Sequence, residues 1–91
     1  MVRLKNWPAK ELKEFLEDYH FTEGNIKGSH HYMNGKIGGE TRVVQVIFSS
    51  KERESQSNKT MKIAVRHSGI PQEYFEEWKL KGVVHNEIIT N

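Results

Sequence analysis

Ninety-one residues without a cysteine, with 14 Lys/Arg against 12 Asp/Glu, describe one small domain suited to a reducing compartment. A chain of this length buries roughly 60–65% of its unfolded surface, which excludes a second domain and an enclosed cofactor cavity, and the missing thiols exclude a disulfide framework or a thiolate metal cage. No apolar run nears the ~18 residues of a membrane span, and Met1-Val2-Arg3-Leu4-Lys5 does not open a signal peptide, so the expectation is a single 1–91 domain in the cytoplasm with no membrane partner and no cofactor.

The chain opens on a helix over about Pro8 to Tyr19. Pro8 suits the first helical position, where its missing N–H costs nothing. Leu12, Phe15, Leu16 and Tyr19 form one apolar stripe at i, i+3, i+4 and i+7. Trp7 reads as a staple on that helix. Phe21 to Lys27 reads as a strand with a bulge or turn at Gly24-Asn25. His30 to Met33 reads as a second, short strand. Asn34-Gly35 and Gly38-Gly39 both carry turn signals, so 34–40 reads as one hairpin loop. Arg42 to Phe48 is the clearest strand, β-branched and apolar. Residues 49–58 are polar and without period, a loop in which Lys51 and Arg53 are weak candidates for RNA backbone contacts. Thr60 reads as the cap of a second helix through about His67. Gly69 stops it in the left-handed conformation, and Pro71 starts a short third helix with an aromatic face of Tyr74, Phe75 and Trp78. Gly82 ends that helix, and 80–91 reads as a tail or an added edge strand.

This order predicts an α+β domain. Its three-stranded antiparallel sheet would carry the helices on one face and leave the other face open. Charge is unevenly spread along it. Residues 21–66 hold eight Lys/Arg and four Asp/Glu, a net +4, whereas 67–91 hold two and four, a net −2. A basic middle suits a polyanion such as RNA, although mixed charge is also the ordinary dress of a solvated surface.

Chemistry centres on Gly28-Ser29-His30-His31. Adjacent strand residues point to opposite faces, so His30 and His31 make a poor metal pair, and no cysteine or nearby acid completes a site. Acid–base work fits better, because imidazole exchanges protons near neutrality. Metal-free RNA cleavage needs a base for the 2′-hydroxyl, cations or N–H groups for the phosphate, and an acid for the 5′-oxygen. Gly28 allows close backbone approach. Lys27, Lys36 and Arg42 are candidate phosphate holders, His31 is a candidate RNA contact beside them, and Ser29 is a candidate for the phosphate or the turn. The same pair also reads as a half-buried strand start without a chemical role.

Residues 8 to 75 resemble the HicA (YcfA-like) toxins of type II toxin–antitoxin modules. The resemblance rests on Leu16-Glu17-Asp18-Tyr19-His20-Phe21 closing an amphipathic helix and on Ile26-Lys27-Gly28-Ser29-His30-His31. A Val-rich strand at Val43 to Phe48 and a break at Ser68-Gly69-Ile70 complete it. It implies a double-stranded-RNA-binding-domain-like α-β-β-β-α fold, here with a short C-terminal helix added. It implies a metal-independent endoribonuclease acting on mRNA, with His30 as the catalytic residue, and a HicB-like antitoxin protein as partner. This chain departs from the family where a Pro-His pair often ends the third strand; here the run is Ile47-Phe48-Ser49-Ser50. Two other functions compete with the toxin: a non-catalytic RNA-binding module on the same fold, and a protein-interaction domain.

Overall fold

A computed structural model describes residues 4–48 and 55–90. Its elements are α1 (Ala9–Asp18), β1 (Thr22–Lys27), β2 (His30–Ile37), β3 (Glu40–Ile47), α2 (Asn58–Ser68), α3 (Gln72–Lys81) and a single 3-10 turn at Asn86–Ile88. The strands form one antiparallel sheet in the order β1-β2-β3. This is the expected α+β arrangement, α-β-β-β-α with a further helix. No helix among the described residues is long and apolar enough to cross a membrane. Most of the loop expected at 49–58, Lys51 and Arg53 included, lies outside the described residues.

Side-chain parity sorts the sheet into two faces. Met33 and Ile37 of β2 and Val44 and Val46 of β3 are buried beneath the helices, with Leu12, Phe15, Leu16, Met61, Ala64 and Phe75. The alternate residues, His30, Tyr32, Asn34 and Lys36 with Thr41, Val43, Gln45 and Ile47, therefore lie on the open face. Helix α1 ends in a Schellman motif, with Phe21 N–H donating to Leu16 O and His20 N–H to Glu17 O. His20 takes the left-handed position (φ 65°) where glycine is usual.

The expected loop at 34–40 is corrected. Strand β2 continues to Ile37, pairing Asn34 with Val43 and Gly35 with Arg42, and the reversal is made by Gly38-Gly39 alone. Their φ values of 62° and 82° supply the positive pair that a tight hairpin needs. Gly35 is a packing glycine: a Cβ there would sit 2.7 Å from ring carbons of buried Phe21. Gly35→Ala should therefore cost about 1–3 kcal/mol as an overpacked core site, read as a lower urea midpoint at unchanged slope.

Two further expectations are also revised. Ser57, not Thr60, caps α2: its hydroxyl oxygen accepts from Thr60 N–H at 3.1 Å while its O–H donates to Thr60 Oγ1. Trp7 is more than a staple. It is fully buried, stacked on Trp78 and edge-on to Phe15 and Phe75.

The C-terminal stretch folds back as a partial strand. Ile89 bridges Ile37, Gly38 N–H donates to Ile88 O, and Thr90 N–H donates to Lys36 O. His85 clasps it to the body. The ring stacks on Tyr74 with centroids 3.7 Å apart, pairs with Glu77 at 2.8 Å and Glu87 at 3.2 Å, and its backbone N–H donates to Tyr19 OH. The Glu77 hydrogen bond, with Glu87 behind it, raises the His85 pKa against a partial desolvation. A raised pKa contributes stability below the ordinary histidine range and loses it as pH rises through the raised value.

Candidate functional site

Strands β1 and β2 meet in the two-residue turn Gly28-Ser29. Gly28 sits at its first position with φ 59°, the conformation that glycine adopts without strain. A Cβ there would meet nothing within 4 Å, so this side of Gly28 faces open space. Phe48 N–H donates to Ser29 O at 2.7 Å and ties the turn to the end of β3.

The two histidines project to opposite faces, as strand parity requires. His30 lies on the open face. It pairs across the sheet with Lys27 on one side and Ile47 on the other, and its Nδ1 meets the Gln45 side-chain amide. An amide can donate to or accept from that nitrogen, so Gln45 sets no tautomer on His30.

His31 lies on the helix-facing side at the margin of the core. Its ring packs on Phe48 with centroids 4.4 Å apart. Its Nδ1 is 2.8 Å from Glu23 Oε2, and the same oxygen is 3.2 Å from Lys13 Nζ on α1. In its neutral form the ring donates from Nδ1 to the carboxylate and carries the lone pair on Nε2. No described residue is bonded to that Nε2. The His31 hydrogen bond, then Lys13, hold the Glu23 carboxyl below its ordinary pKa. A depressed carboxyl contributes stability above its ordinary pKa and loses it as pH falls through the lowered value. The Lys13–Glu23–His31 contact therefore weakens as acid protonates the Glu23 carboxyl.

The other residues expected at the site are dispersed. Lys27 stands beside His30. Lys36 shares the open face, but six residues along β2 place it about 20 Å from His30. Arg42 points to the helix side, where its guanidinium pairs with Glu40 at 2.8 Å and fills the space over Gly69. No group of three or more His, Asp or Glu side chains able to hold a metal occurs among the described residues.

The sequence reading missed Glu23, Lys13 and Phe48 around His31. It also missed a basic stripe on α2. Lys59, Lys62 and Arg66 recur at i, i+3 and i+7 on an exposed line, the helix has no acidic residue, and none of the three is ion-paired with another described residue. The stripe starts at the histidine end of the sheet. Gln56, two residues before α2, makes paired amide hydrogen bonds to the N–H and C=O of Ile47, the cross-strand partner of His30. The absence of acids from residues 58–68 was the available signal. Comparisons with family models, with characterised proteins and with solved structures returned no match.

Proposed function

We propose that this chain is a metal-independent endoribonuclease of the toxin–antitoxin type, cutting mRNA by histidine acid–base chemistry at the end of the β1–β2 hairpin. The observation that carries this reading is the histidine held at Nδ1 by a carboxylate, with Nε2 left unbonded. A general base is oriented in this way in catalytic triads on unrelated folds. The sequence resemblance favours His30 as the acting residue; the geometry favours His31, whose Nε2 carries the lone pair. In this reading His31 Nε2 takes the proton from a ribose 2′-hydroxyl. The 2′-oxygen bonds to phosphorus, the P–O5′ bond breaks, and the 5′-oxygen leaves with a proton from solvent, giving a 2′,3′-cyclic phosphate. The basic stripe of α2 would hold phosphates flanking the cut. A HicB-like antitoxin would be its partner.

The test is incubation of purified protein with single-stranded RNA in EDTA, scored for cyclic-phosphate ends. Cyclic ends produced by the wild type are the expected result. Retarded but uncut RNA would replace this reading with a non-catalytic RNA-binding module. Tyr32, Lys27 and Lys36 on the open face suit such a module, because an aromatic ring flanked by cations stacks bases without cutting them.

The phosphate-holding role of α2 is checked separately. Lys62→Glu with Arg66→Glu should weaken RNA binding. The slope of log affinity against log salt should flatten by about 0.7 for each phosphate of a single strand that is no longer neutralised. An unchanged slope would remove α2 from the interface.

A further inference from the structure

The chain of contacts that ends on His31 joins three elements: Lys13 of α1 pairs with Glu23 of β1, and Glu23 with His31 of β2. Glu23 reaches this position through the bulge in β1. Its neighbours pair as Glu23 with Met33 and Ile26 with His31, so three steps on β1 match two on β2. The extra residue turns the Glu23 side chain to the helix side, diagonal to His31, where long side chains on one face meet. Phe48 limits the ring from another direction. A histidine with one nitrogen on a carboxylate and one face on an aromatic ring has its tautomer and its direction both fixed.

We infer that Glu23 is the positioning residue of this site, holding His31 in the Nδ1–H form so that Nε2 accepts the substrate proton, with Lys13 holding the carboxylate in place. This rests on the ribonuclease reading above. Neutral imidazole on its own prefers the proton on Nε2, the tautomer unable to act as base at that atom. Removing the Glu23 charge while keeping its shape should therefore move the proton across the ring. The substrate-binding groups are not touched, so the loss falls on turnover rather than on affinity. A catalytic group released from its oriented position costs on the order of 10²-fold.

The test has two readouts on the intact protein. Glu23→Gln should lower kcat by about 10- to 100-fold at unchanged KM, and Glu23→Asp should recover part of it. Nitrogen-15 NMR of the ring should show His31 as the Nδ1–H tautomer in the wild type and a shift toward Nε2–H in Glu23→Gln, in a protein whose remaining amide spectrum is unchanged. If the wild type cleaves RNA and Glu23→Gln alters neither kcat nor tautomer, the inference falls and the ribonuclease reading stands. If the tautomer shifts as expected and the wild type cleaves nothing, the ribonuclease reading falls, and the catalytic role of Glu23 falls with it.

Discussion

His31→Ala should reduce RNA cleavage by about 10²- to 10⁴-fold, the usual contribution of one acid–base group, while His30→Ala keeps most of the activity. The expectation follows from what each Nδ1 meets. His31 donates to the Glu23 carboxylate, which can only accept, and keeps its lone pair on Nε2. His30 meets the neutral Gln45 amide, which sets no tautomer and brings no charge to orient a base. Both cannot serve one phosphodiester, because the β2 backbone lies between them and their side chains leave on opposite faces. Single-turnover cleavage of a short RNA measures the difference, with His31→Gln as a second variant that keeps more of the ring's packing on Phe48. The opposite result, with His30→Ala dead and His31→Ala active, would return the chemistry to His30 and move the RNA to the open face beside Lys27 and Tyr32.

Trp7→Ala should lower stability by about 3–5 kcal/mol, a large fraction of the 5–15 kcal/mol typical of a whole domain. The indole is fully buried and is the meeting point of two helices. Its ring lies 5.6 Å from Phe15 of α1, and 5.7 Å from both Phe75 and Trp78 of α3. The Lys79 ammonium lies 4.6 Å above it and pairs with Glu11 at 2.7 Å. Truncation would remove the ring packing and leave a cavity between α1 and α3. Trp7→Phe should cost much less than the reduction in volume suggests. The buried indole Nε1–H has no hydrogen-bond partner among the described residues, and burying an unpaired donor costs about 1–3 kcal/mol, a penalty that phenylalanine escapes. Urea unfolding of the two variants checks both statements. A Trp7→Phe loss as large as its reduction in volume predicts would mean that the unpaired N–H carries no penalty.

Most of the fold was legible because local signals agreed with tertiary need. The stripe Leu12, Phe15, Leu16 and Tyr19, the Gly69 and Gly82 stops and the Val-rich third strand all appear where sequence pattern put them. The error at Asn34-Gly35 has a physical cause. A glycine demanded by a ring packed on it looks, in sequence, like a glycine demanded by a turn, and only the position of Phe21 separates the two. The site was half legible for a related reason. Parity along β2 separated His30 from His31 without any structure. Finding the partner of His31 required counting across the bulge in β1. With regular pairing Glu23 would oppose Asn34 on the open face, away from His31. One extra residue reverses that, and Gly24-Asn25 marked the bulge without fixing how many residues it inserts. Lys13 and Phe48 are brought in from other elements, so no spacing in the sequence announces them.

The folded-back C-terminal stretch bears on how the protein is handled. Strand β1 pairs with β2 only as far as Asn34, and beyond it Lys36 O and Gly38 N–H are taken by Thr90 and Ile88. Deprived of that cover, these groups become a template on which another chain can add a strand. An affinity tag fused directly after Asn91, or a truncation before Val83, would loosen or remove this cover and invite self-association unrelated to any natural partner. A tag at the opposite terminus leaves it in place.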